Sequence, residues 1–321
     1  MTIALPDPKE LISLVGVPGW LGEHLQPLHD QNADSGLFGP GSITWKVFRE
    51  PFLVAGGARA LLMQAAHPLV AQGALDHSAM MHDPFGRLYR TAEWTVTMAF
   101  GTTAEVHDAC RKVHRMHRSV TGTLPGGNGT PTVPGGTQYR AQDADLARWV
   151  HATLVQSLIA TYEACVGTLS IREKDQFVCE WNAVARLMGI PRSGTWYSWI
   201  ELCHYIDTEM SSTGRAHVSE GSRQIASSIL SPSFVPKLLK PAWAGLTYLS
   251  VGLLPDELKR EYGIMWTPAH RLLWNAVLAQ HRLARKLTPR TLRTTGLYSY
   301  ARKRSRGDLL HNERVHRALA S

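Results

Sequence analysis

From Trp45 onward, apolar residues recur at helical spacing through most of the chain, and the alternating runs that build half-buried strands are almost absent. That periodicity confines the fold to a mainly α class. It predicts helices over 57–73, 87–100, 104–120, 143–166, 171–188, 196–210, 256–262 and 268–286. Thr103 reads as the N-cap of the 104–120 helix and Gly122 as its stop. Pro255, followed by Asp256 and Glu257, opens another helix with acidic residues in its first turn. Residues 1–40, rich in Pro, Gly and Asp, read as an irregular lead-in to one multi-helix domain over 41–300, with 301–321 as a basic tail. The stretch 122–137 holds six glycines and three prolines. Because the helices on both sides carry apolar faces that would pack together, it reads as a long loop inside that domain rather than a linker.

A chain of 321 residues buries enough apolar surface to fold without covalent staples. Its four cysteines are scattered and form no C-x-x-C, so neither a disulfide framework nor a zinc knuckle is written here, and a reducing compartment fits. The N-terminus lacks the basic and apolar regions of a secretory signal, and the longest nearly apolar stretch, 241–255, is shorter than the ~20 residues a membrane span needs. The expectation is a soluble, cytoplasmic protein without a transmembrane segment.

The net charge of +8 is not spread evenly. Residues 282–321 carry eleven Lys and Arg against two acidic residues, while the remainder carries 23 against 24. Basicity is therefore a C-terminal property, suited to an acidic partner or simply to solvation. Only Tyr298 and Tyr300 interleave aromatic rings with those charges, which argues against nucleic acid. Oligomeric state is left open.

The helix after Thr103 is the most informative segment. Val106, Cys110, Val113, His117 and Val120 share one apolar face, whereas His107, Arg111, His114 and Arg118 follow the same spacing on a polar stripe. His117 therefore points inward, and His114 points to water or a carboxylate. An inward histidine is either a core residue bonded to a carbonyl or a metal ligand, and spacing does not separate the two. His67, just before Pro68, is either a group facing a bound oxidant or a cap on a helix end; His77 is equally open. His151 shares an inward face with Leu154, Leu158, Tyr162 and Cys165, as pocket wall or as core. The tryptophans at 149, 181, 196, 199, 243 and 274 suit a large flat ligand or plain packing.

Two rival chemistries have thinner support. Glu201-x-x-His204 is half of a di-iron carboxylate motif, but its second copy, Glu313-x-x-His316, falls in the basic tail. No G-x-S-x-G marks a nucleophile elbow.

Four stretches stand out in order: Gln64-Ala-Ala-His67-Pro68 through His77-Ser78; Asp83-Pro84-x-x-Arg87-Leu-Tyr-Arg90-Thr91; Met116-His117-x-x-Val120-x-Gly122; and Tyr139 through Trp149-Val-His151-Ala-Thr-Leu154. Weaker echoes continue through Glu180-Trp-Asn and Leu254-Pro. The set, over about residues 40–290, resembles the oxygenase family that includes bacterial latex-clearing proteins and the fungal enzyme that cleaves the farnesyl side chain in mycophenolic acid biosynthesis. That resemblance implies a haem b enclosed in an all-α fold, held by His117 and, without a C-x-x-C-H, non-covalently. It implies catalytic roles at Arg87 and Thr91, which match the latex-clearing pattern R-x-x-K-T.

This chain departs from the pattern at Arg90, where an always-protonated guanidinium replaces a lysine able to ligate iron. A lysine-capped iron, and polyisoprene as substrate, are not expected. Arg87 and Arg90, one turn apart, suit haem propionates or surface ion pairs. The expected function is a haem-dependent oxidoreductase acting on an apolar or aromatic small molecule with dioxygen or peroxide. His67 and His151 would then line the pocket. The alternative is a non-catalytic haem carrier or sensor that docks through its basic tail.

Overall fold

Capping chemistry sets most helix starts in the computed structural model, which describes residues 34–77, 84–232, 235, 237–289 and 293–306. The Ser42 side chain accepts from the Trp45 N–H and opens α1 (Ile43–Phe48). The one helix expected over 57–73 is two, α2 (Val54–Ala65) and α3 (Pro68–His77). Proline disfavours helical backbone in the residue before it and has no N–H to give, so the chain breaks at Ala66–His67 and restarts with Pro68 in the first turn.

Next come α4 (Pro84–Phe100) and α5 (Thr103–His117), joined by Gly101–Thr102 as a helical hairpin. The cap of α5 is Thr102 rather than Thr103, in a reciprocal capping box with Glu105. α5 ends at His117, so Gly122 does not close it. Instead, Gly122 pairs with Tyr139 in an antiparallel hairpin of β1 (Thr121–Thr123) and β2 (Gln138–Arg140). The glycine-rich stretch is the connector of this hairpin, stitched by Leu124 N–H to Thr137 O and Gly136 N–H to Leu124 O, both 2.8 Å.

The rest of the chain is helical: α6 (Ala144–Cys165), α7 (Ile171–Leu187), α8 (Trp199–Met210), α9 (Glu220–Leu230), α10 (Lys240–Gly252), α11 (Asp256–Glu261), α12 (Pro268–Leu287) and α13 (Gly296–Ser305). α1, α9, α10, α13 and the β hairpin were not anticipated. α13 runs across the boundary expected at residue 300, and its Arg304 is buried, donating to the Asp34 and Phe100 carbonyls.

α6 is the axis of the core, buried on nearly all sides from Leu146 to Cys165. Three of its short polar residues are self-satisfied: the Thr153, Ser157 and Thr161 hydroxyls each donate to the carbonyl one turn back at 2.6–2.8 Å. This row of small side chains lets α2 lie close against it. A Cβ on Gly56 would stand 2.7 Å from the Thr161 hydroxyl, so only glycine permits the approach. α1 packs on α7, α9 on α3, and α10 on α2. Trp45, Trp149, Trp181, Phe100 and Phe177 fill the centre. No helix among the described residues is long and apolar enough to cross a membrane.

Candidate functional site

Burial falls steadily along the apolar face of α5. Val106 and Cys110 are buried, whereas Val113, His117 and Val120 are half-buried. The α4–α5 hairpin is closed near its turn, where Cys110 Sγ meets Met98 Sδ at 3.8 Å. Counted outward from that contact at ~1.5 Å per residue, His117 and the Arg90–Thr91 pair lie equally far along their own helices. The open end of the hairpin therefore carries His117 on one arm and the Arg87–Thr91 segment on the other. Arg90 and Thr91 are exposed; the Arg87 side chain lies outside those described.

His117 lines a cleft of about 370 Å³ with Arg118, Gly122, Tyr139 and Arg140. The β hairpin forming its other wall is stapled to α3. Tyr139 donates its hydroxyl to Asp76 at 2.5 Å, Gln72 donates to Asp76 at 2.7 Å, and Asn128 donates to Gln72 at 2.7 Å. Burial and then the Asp76 bond push the Tyr139 phenol up, so it stays a donor. Gly122 makes the fit possible, since a Cβ there would sit 2.4 Å from the Tyr139 hydroxyl. His77 joins at the rim, its Nε2 2.9 Å from the Thr121 carbonyl.

His114, expected to face water or a carboxylate, is half-buried with Nε2 2.8 Å from the Leu187 carbonyl. The end of α7 lands on it and supplies the last-turn carbonyl that a histidine can satisfy.

His67 and His151 do not line the His117 cleft. His67 lies at the α2–α3 break, 1 % exposed, and its Nδ1 accepts from the Leu69 N–H at 3.3 Å, so the helix-cap reading holds for that nitrogen. The tautomer this implies puts the proton on Nε2, which is buried and finds no partner among the described residues. Burial first, then the nearby Arg215, pulls its pKa down to about 4, against the opposing pull of Glu209 and Asp143.

Glu209, on α8, and Arg215 form a fork at 2.7 and 3.1 Å. Burial pushes the Glu209 carboxyl up, and Arg215 more than offsets it, leaving Glu209 below its ordinary range. Beside them the Arg148 guanidinium lies 4.3 Å from the Tyr205 ring centroid and 5.0 Å from that of Trp196. His151 stacks on Trp196 at 6.4 Å, and burial lowers its pKa to about 4 as well. Tyr205 Oη, Arg148 Nε and Trp196 Nε1 are further buried atoms without a hydrogen-bond partner among the described residues. Arg148, Tyr205, Glu209 and Arg215 carried no motif that singles them out; only the fold gathers them. The cluster can offer a polar ligand several fixed donors in a dry setting.

Among the described residues, no three His, Cys, Asp or Glu side chains converge to hold a metal ion directly. Glu201 and His204 are exposed, with Glu201 accepting from the Tyr197 N–H, and Glu313 and His316 lie outside the described residues. The His117 donor set is different in kind. It offers one half-buried imidazole beside Arg118 and Arg140, the donor for an iron and the cations for propionates that a haem takes, within a lining completed by Thr121, Thr123, Gln138 and Gln142.

Residues 45–285 match the family described as ER-bound oxygenase mpaB/B'/rubber oxygenase, catalytic domain. Neither the curated proteins nor the solved structures give a match. The matched segment runs from α1 to the last turn of α12 and includes both the His117 cleft and the His67–His151 cluster, which supports an oxygenase role. On the extent of that match, this chain belongs to the mpaB/rubber oxygenase catalytic-domain family.

Proposed function

We propose that the protein is a haem-b-dependent oxygenase that acts on an apolar or aromatic small organic substrate with dioxygen or peroxide. The observation that carries this reading is the position of His117: half-buried, at the open end of the α4–α5 hairpin, between cationic side chains. When bound, the haem supplies the iron at which the oxidant is activated. His117 would hold the iron. Arg87 and Arg90 from α4, with Arg118 and Arg140 from the cleft, would hold the propionates, and Thr91 would adjoin the reacting region.

The chain's other contribution is a buried, neutral interior. His67 and His151 remain uncharged at pH 7 because burial holds both near a pKa of about 4. His67 keeps a proton at Nε2 as a hydrogen-bond donor inside this interior, apart from the His117 cleft. Trp181 and Trp196, packed beside His151 with ring centroids at 6.2 and 6.4 Å, exclude water from that side.

The test is the absorption spectrum of the full chain expressed with ample haem, in ferric and ferrous-CO forms. A Soret band is expected, and its loss in His117→Ala with the helical circular dichroism unchanged. No Soret band in the parent protein would refute haem dependence; full haem content in His117→Ala would move the ligand elsewhere.

A further inference from the structure

A second concave site lies at the closed end of the same hairpin. α13 packs there against the end of α4: the Tyr298 ring stacks edge-on with Phe100 at 6.1 Å, and Arg304 donates to the Phe100 carbonyl. His117 is at the other end of α5, ~20 Å away along a 15-residue helix. The cleft formed here has a volume of about 830 Å³, and six cationic side chains line it: Arg49, Arg285, Arg293, Arg302, Lys303 and Arg306.

Among the described residues, one carboxylate answers them. Glu50, 3 % exposed, takes the Arg285 fork at 2.7 and 3.0 Å and lies 3.4 Å from Arg49 Nε. Arg293 is held by the Thr288 and Lys286 carbonyls, which orient its guanidinium without neutralising it. Ser299, Arg302, Lys303 and Arg306 fall at offsets of 0, 3, 4 and 7 and share one face of α13. Like charges at those spacings repel. From Pro268 to Arg306 the sequence contains no Asp or Glu at all, so this segment carries no compensating charge of its own.

Basic residues in a last helical turn complement the helix dipole. That explains α13 alone; it does not explain why arginines from the end of α1, from α12 and from the segment before α13 converge on the same concavity. Arginine forks and a serine hydroxyl match phosphate oxygens, and the volume suits a small ligand rather than a duplex. With about five positive charges left after Glu50 is counted, a single phosphate would leave most of them unanswered.

We propose that this cleft binds a phosphoanion bearing at least two phosphate groups, either free in solution or as a phospholipid headgroup. The proposal does not depend on the haem reading, since it uses none of the residues of the His117 cleft. The experiment is calorimetric titration of the full chain with inorganic pyrophosphate at low ionic strength, repeated with an Arg302→Gln/Arg306→Gln variant and an Arg302→Lys/Arg306→Lys variant. Both positions are exposed, and unchanged circular dichroism checks the fold.

Saturable binding is expected, weakening as salt rises, at least tenfold weaker in the glutamine variant and partly restored in the lysine variant. Absence of binding at low salt, or binding equal in parent and glutamine variant, would overturn the proposal. Flotation with phosphatidylcholine vesicles, with and without cardiolipin, separates the sources. Cardiolipin-dependent flotation that pyrophosphate competes away identifies a headgroup site; pyrophosphate binding without flotation identifies a soluble phosphoanion.

Discussion

His117 and His151 are both histidines on apolar helix faces, yet the fold treats them in opposite ways. His117 ends its helix at the mouth of an opening hairpin, half-buried beside arginines and a β hairpin. His151 sits two turns into the most buried helix, stacked on Trp196 with Trp181 tilted against it, and burial alone depresses its pKa. His67 shares the second environment, with a charged fork nearby. The contrast shows that an apolar stripe selects the direction of an imidazole but not its chemistry. Depth decides whether the ring is open to a ligand or held as a neutral, dry hydrogen-bonding group.

The largest effect that tests this contrast is on stability against pH. Folded His67 and His151 titrate near 4, whereas their unfolded forms bind a proton below about 6.5. Between those values the unfolded state holds more protons, so stability is complete above about pH 6.5 and declines as pH falls toward 4. Each histidine contributes a slope of up to about 1.4 kcal/mol per pH unit in that window. Urea unfolding at half-unit pH steps should show it, and His151→Phe should remove roughly half. A flat profile across the window would place both rings in contact with water and dissolve the distinction from His117.

A smaller effect is expected from the fork that flanks His67. Glu209→Gln removes the carboxylate of the fork and leaves Arg215, among the described residues, only Asp145, at 3.5 Å; because Arg215 is more than a third exposed, the cost is about 1–3 kcal/mol rather than that of a fully buried pair. The same change should lower the His67 pKa further, since Glu209 raises it. Chemical denaturation reads the first and histidine proton NMR the second.

The smallest expected effect lies on the open side. Gly122→Ala pushes a methyl group into the Tyr139 hydroxyl and should cost about 1–2 kcal/mol. Its signature is local: faster amide exchange at Leu124 and Gly136 while the α6 amides keep their protection. Loss of protection throughout α6 would mean that cleft and core are one cooperative unit.

Much of this architecture is legible residue by residue. The helical period of α5 places His117 on its apolar face, and Trp149-Val-His151-Ala-Thr-Leu154 reads as a buried helix, because both are properties of neighbouring residues on one element. Helix starts are readable to within a residue where a capping side-chain oxygen is present, as at Thr102 and Asp143. The break at His67 was half-visible, since Pro68 announces it while the apolar run through residue 73 masks it.

What remained unreadable depends on contacts between distant segments. His114 lost its expected exposure because the end of α7 reaches it, 73 positions away. Tyr139 finds Asp76, and Arg285 finds Glu50, across 63 and 235 positions. The sequence by itself determined a mainly helical chain, the oxygenase family and the inward direction of His117, since those follow from local period and ordered motifs. Only the tertiary structure decided that His117 stands at an open cleft while His67 and His151 lie dry beside Arg148, Tyr205 and Glu209. Burial depth and charge pairing are set by which helices meet, and no single segment encodes that.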